Sequence, residues 1–238
     1  EDGIRSLCDW SSDVCSSDLL VYNIKATGRP LTRIADLFDP AFKGRVSALL
    51  EMRDTMGLLM LADGQDIRRP TWEAAQPSFE QLERARREGQ IRRFTGNDYQ
   101  NDLLAGNLVA CMGWSGDVAQ LAMDQPDLRF VVPETGGVRW ADVMLMPKGA
   151  RHPEAVAEWL NWVYDPPQAA RIAATVQYIS PVEGVGPILA ANPATAALAR
   201  NPLMFPDAAM DQRLHVFGPL EEKEEVRWEE RFARITEG

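Results

Sequence analysis

The sequence predicts an α/β fold, a sheet with helices on both faces. Three observations carry this. Residues 107–114 form a near-continuous apolar run, the mark of a strand buried on both faces. Short apolar strands alternate with helical segments from residue 45 to residue 132. Pro153 and Glu154 suit the opening turn of a helix, and Val156, Trp159, Leu160 and Val163 then recur at i, i+3, i+4 and i+7, a stripe expected in the core.

Residues 1–19 lack helical or strand periodicity and contain Ser-Ser-Asp twice. They resemble translated sequencing-adapter sequence, and the expectation is a non-native or disordered segment outside the fold. Residues 20–23 read as a short strand, 34–38 as a short helix and 45–50 as a strand. Glu51 and Asp54 stand at the carboxyl end of that strand, and a helix follows to Ala62 with Gly64 as its stop. Residues 71–88 form an amphipathic helix with Phe79, Leu82 and Ala85 on its buried stripe. Residues 91–94 read as a strand and 98–104 as a helix. After the 107–114 strand, Ser115 or Asp117 starts a helix. Residues 128–132 are the next strand. A Gly136-Gly137 turn leads into a strand ending at Pro147. Helices are expected from Pro153, over 167–176 and over 193–199. Gly184 and Gly186 read as a flexible crossing, and 221–235 as a charged terminal helix with a thin apolar stripe.

The formal charge of −10 over 238 residues argues against nucleic acid and anionic membrane surfaces as partners. Five acids and one arginine lie in residues 1–19, so residues 20–238 carry −6. Cys8 and Cys15 lie in the same segment. Cys111 then remains alone, which leaves no disulfide and no cysteine metal site. No apolar run approaches the ~18–20 residues that span a bilayer, and no signal peptide is visible. No cofactor fingerprint, phosphate loop or metal-ligand cluster is present.

On the strand after Gly137, Trp140 and Asp142 are two apart and share a face. A ring face beside a carboxylate suits an organic ammonium. The alternative is a core tryptophan beside a solvated acid. Glu51 and Asp54 are three apart, so one helical turn aims both carboxylates the same way; the alternative is ordinary helix-start acids.

Several stretches in order resemble the substrate-binding proteins of polyamine (spermidine/putrescine) ABC importers. They are residues 34–44, Met112-Gly-Trp-Ser-Gly-Asp117, residues 131–184 with Trp140, Asp142, Trp159 and Tyr178, and Asn201-Pro-Leu-Met-Phe-Pro206. The resemblance covers roughly residues 20–238. It implies the type II periplasmic-binding-protein (Venus-flytrap) fold, with two lobes that hinge shut on a ligand. Residues 20–137 are expected in the second lobe, 138–186 in the first, and 187–238 back in the second. The first lobe is expected to be largely missing, along with any signal peptide, so the chain reads as a fragment. The resemblance carries ligand-binding roles onto Trp114, Trp140, Asp142, Tyr178, Glu51 and Asp54. It implies a periplasmic or extracytoplasmic, monomeric protein that hands a polyamine to a membrane permease, with no catalysis.

Two rivals are open at this point. Gly113-Trp-Ser-Gly-Asp117 faintly resembles a hydrolase nucleophile elbow, but Asp117 stands where that motif needs glycine. A binding protein for another small cationic or amino-acid-like solute is the second. An anionic solute would want arginine at the site, and alternation turns Arg139 away from the Trp140 face.

Overall fold

The computed structural model describes residues 12–237. Strand β1 runs Ser12–Asn23, followed by a single helical turn α1, Ile24–Thr27. Then come β2 Val46–Leu49, α2 Met52–Ala62, α3 Trp72–Arg87, β3 Ile91–Thr95 and α4 Tyr99–Leu104. β4 Ala110–Trp114 leads directly into α5 Ser115–Asp124, and β5 Leu128–Val131 precedes β6 Gly137–Val143. Helices α6 Pro153–Tyr164, α7 Pro166–Val176 and α8 Val185–Ala191 follow. The chain closes with a turn α9 Ala208–Asp211, β7 Leu214–Val216 and α10 Glu222–Glu237.

The strands are ordered β3-β2-β4-β1-β6-β7, with β5 also paired to β1. β2 is parallel to both β3 and β4. β1 runs antiparallel to β4, placing Asp18 opposite Trp114 and Leu20 opposite Met112. The chain divides into two compact units. The larger comprises Ser17–Arg139 and the chain from Ala209 onward; the smaller comprises Trp140–Ala208 with the first residues of β1.

In the larger unit, all five residues of β4 are buried, as continuous apolarity requires for a strand between two neighbours. α10 closes this unit. Its stripe of Trp228, Phe232 and Ile235 is buried, and the Trp228 ring meets Phe79 at 5.5 Å and Phe217 at 5.9 Å. Gly57 of α2 lies where a Cβ would come 2.6 Å from Val138 Cγ2, so only glycine lets that helix pack so closely.

The structure corrects several expectations. Of the expected non-native segment 1–19, residues 1–11 lie outside the described residues, but Ser12–Leu19 is strand, and Ser17, Asp18 and Leu19 are buried. Asp18 and Leu19 pair with Trp114 and Gly113 of β4 through the backbone, which accepts almost any side chain, so residues without apolar periodicity can still join a sheet. The strand expected to reach Pro147 ends at Val143, and Leu145 beyond it is 80% exposed. Of the α6 stripe only Val163 is buried. Trp159 is 57% exposed and stacks on Trp162 at 5.3 Å, an apolar face that stays open because amphipathic spacing does not itself supply a cover. The crossing expected at Gly184 and Gly186 is a helix start: Gly184 caps α8 at φ +83°. Residues 187–208 accordingly pack with the smaller unit, not with the return to the larger one. Leu189 and Met204 share a core with Ala169, Ala173 and Val185.

Candidate ligand-binding site

In parallel α/β sheets, ligands collect at the carboxyl ends of the strands, where loops and helix N-termini converge. The larger unit follows this rule. β2 ends at Leu49, and Glu51 caps α2 with Asp54 in its first turn. β4 ends at Trp114, which caps α5. The two strands are adjacent and parallel, so the sixty residues between Asp54 and Trp114 close up. The Trp114 indole Nε1–H donates to Asp54 Oδ2 at 2.9 Å.

This corner is electrostatically loaded. Asp54 is 8% exposed, and burial is the main reason its carboxyl pKa rises from 3.8 to about 7. The Trp114 hydrogen bond opposes that rise, and the negative charge of Glu51 adds to it. Glu51 is exposed at the surface, yet the protein packed beside its carboxyl also raises its proton affinity. Among the described residues no arginine, lysine or histidine neutralises either acid. The nearby Arg53 is paired instead with Glu225.

Behind Trp114 lies a polar network that the sequence reading missed. Tyr99, fully buried, accepts from the Trp114 backbone N–H at 3.0 Å and donates to Asp117 Oδ2 at 2.9 Å. Asn97 Nδ2 donates to the same oxygen at 2.9 Å. The only signal in the sequence is that Asn97 and Asp117 follow β3 and β4, at the same strand ends as Asp54. Asp117, the residue that breaks the nucleophile-elbow pattern, is thus engaged by a tyrosine and an amide. Ser115 is fully buried, and its hydroxyl accepts from the Ser17 backbone N–H at 3.3 Å.

The smaller unit holds the other three predicted residues. Gln177 ends α7 in a left-handed conformation and turns the chain, which brings the Tyr178 ring to 6.4 Å from Trp140 at 54°. Both rings are half-buried. Asp142, two residues along β6 from Trp140, is exposed. The structure therefore gathers Glu51, Asp54 and Trp114 in one unit, and Trp140, Tyr178 and Asp142 in the other. Arg139 is buried and its guanidinium pairs with Asp211. It is committed to the larger unit's core, as alternation suggested when it turned this side chain away from Trp140. Among the described residues no helix is long and apolar enough to cross a membrane.

Comparison with known proteins places this geometry. The family of bacterial extracellular solute-binding proteins matches residues 13–206. The putrescine-binding periplasmic protein PotF of Escherichia coli (strain K12) is 28% identical over 130 residues, covering 52% of this chain and 34% of that protein. Spermidine/putrescine-binding periplasmic protein 1 of Haemophilus influenzae is 24% identical over 151 residues, covering 63% of this chain and 41% of its own. A solved structure described as a putative spermidine/putrescine ABC transporter from Listeria monocytogenes superimposes with a TM-score of 0.84 at 22% identity. That match covers 94% of this chain and 68% of that one, and it shows a shared fold. The chain spans well under half the length of these two curated relatives. With the match running over most of its residues, the chain belongs to the bacterial extracellular solute-binding proteins.

Proposed function

We propose that the chain binds a polyamine such as putrescine or spermidine, as part of an extracytoplasmic solute-binding protein that delivers it to the permease of an ABC importer. One observation carries the reading. Asp54 and Glu51 meet at the carboxyl end of a parallel strand, beside an indole, with no protein cation to neutralise them among the described residues. Both acids have raised proton affinity, Asp54 by burial and by the charge of Glu51, and Glu51 by burial, and a bound cation would relieve both. An alkylammonium fits because it can donate charge-assisted hydrogen bonds to both carboxylates while its methylenes lie against the ring. The Trp140–Tyr178 pair with Asp142 offers the same chemistry in the smaller unit. The names of the relatives point the same way. The protein is taken to act as a monomer.

A thermal-shift panel of putrescine, cadaverine, spermidine, basic amino acids and small anions tests this. A ligand at a hundred times its Kd stabilises the folded state by about 2.7 kcal/mol. Linear polyamines should raise the melting temperature, and anions should not. A rise with basic amino acids alone would favour the reading as an amino-acid-like solute binder; a rise with anions alone would end the proposal.

A further inference from the structure

The geometry points to Tyr99 as a positioning residue for the ligand site, acting through Trp114 and anchored by Asp117 and Asn97. The inference rests on the polyamine reading for its ligand but not for its geometry. Trp114 is the last residue of β4 and the cap of α5, so its backbone N–H is one that neither the strand nor the helix must satisfy. Tyr99 satisfies it, from a position fifteen residues earlier in the chain. The Tyr99 ring lies 6.1 Å from the Trp114 ring at 59°, so the tyrosine fixes the tryptophan through both its backbone and its face.

The network has one polarity. Burial and the neighbouring Asp117 carboxylate hold the Tyr99 hydroxyl well above its usual pKa, so it keeps its proton and donates to Asp117. Its oxygen is then left to accept from Trp114. Asn97 on the same Asp117 oxygen stops that carboxylate from turning away. At the far end, the Trp114 indole N–H reaches Asp54. Hydrogen bonds thus run from Asn97 through Asp117, Tyr99 and Trp114 to the acid that would meet the ammonium. Gly113 makes the close approach possible: a Cβ there would stand 3.0 Å from Tyr99 Cζ and 3.0 Å from Val21 Cγ2.

Tyr99→Phe tests this, since it keeps the ring and removes the hydroxyl. Two readouts are taken on the full chain. The first is the Trp114 indole N–H proton resonance, assigned with Trp114→Phe, together with its exchange rate in the absence of ligand. The second is putrescine affinity by calorimetry. In Tyr99→Phe the indole resonance should shift and exchange faster, and binding should weaken about tenfold, the scale of one lost hydrogen-bonded constraint. Asp117→Asn keeps an acceptor for Tyr99 and should retain most of the wild-type behaviour. Ser78→Ala serves as a stability control, because it removes the hydrogen bond from the buried Ser78 hydroxyl to Asp63, which shares no partner with this network. It should lower the melting temperature without moving either readout. An unchanged indole resonance in Tyr99→Phe overturns the inference. So does wild-type affinity in that variant. If the unaltered chain binds no polyamine, the ligand assignment fails separately, and the indole readout still decides the positioning role.

Discussion

The sharpest consequence of the Asp54 environment is a stability that depends on pH in an unusual direction. Burial raises the folded-state pKa of Asp54 from 3.8 to about 7, so the folded chain retains a proton that the unfolded chain gives up. Wherever the folded state binds more protons, stability falls as pH rises. The loss begins near the unfolded value, runs through the interval and levels off above about 7. At about 1.36 kcal/mol per pH unit the full interval corresponds to about 4 kcal/mol. Asp54→Asn keeps an oxygen for the Trp114 indole and has no proton to lose. Its stability relative to the unaltered chain should therefore grow by about 3 kcal/mol between pH 5 and pH 8. Other acids respond in the opposite sense: Asp36, Asp39, Asp66 and Asp102 have lowered values, so their contribution is lost only as pH falls through the acid range. Taking the difference between variant and parent removes them. Urea unfolding at pH 5, 6, 7 and 8, followed by far-UV circular dichroism, reads the quantity directly. A stability difference that stays flat across that range would refute the reasoning, because Asp54 would then ionise as freely as in the unfolded chain.

Three further outcomes follow from the packing. Gly218→Ala would put a Cβ 2.1 Å from the Arg68 carbonyl oxygen, a backbone atom that cannot rotate away, and should cost about 3 kcal/mol by chemical denaturation. Asp211→Ala leaves the buried Arg139 guanidinium without its carboxylate and should cost roughly 3 kcal/mol, whereas the double change Arg139→Met with Asp211→Ala should recover part of it. Trp159→Ser should change unfolding free energy by no more than about 0.5 kcal/mol, because the ring is mostly in solvent; a loss of several kcal/mol would show that it is packed after all.

What could be read from the sequence divides along physical lines. The apolar run over β4 and the alternation of strands and helices needed no tertiary information, since a strand buried on both faces must be apolar throughout. The placing of Glu51, Asp54 and Trp114 at strand ends followed from the same pattern. Their meeting did not, because sixty residues separate Asp54 from Trp114 and only the β2–β4 pairing joins them. Tyr99 went unnoticed because its role is to accept one backbone N–H, and a backbone group leaves no trace in residue spacing. The Gly184 and Gly186 pair was misread because glycine serves equally well in a flexible link and in a left-handed helix cap. The α6 stripe, expected in the core, is buried only at Val163, because periodicity states which face is apolar and not whether anything covers it.

The account stands on an ammonium lying between Asp54 and Glu51 with its carbon chain against Trp114. Nuclear Overhauser contacts between the methylene protons of putrescine and the tryptophan rings test it most directly. The account predicts contacts to the Trp114 ring that vanish when Asp54→Asn and Glu51→Gln are combined. Contacts confined to the exposed Trp159 and Trp162 rings, or contacts to Trp114 that persist in the double variant, would contradict it.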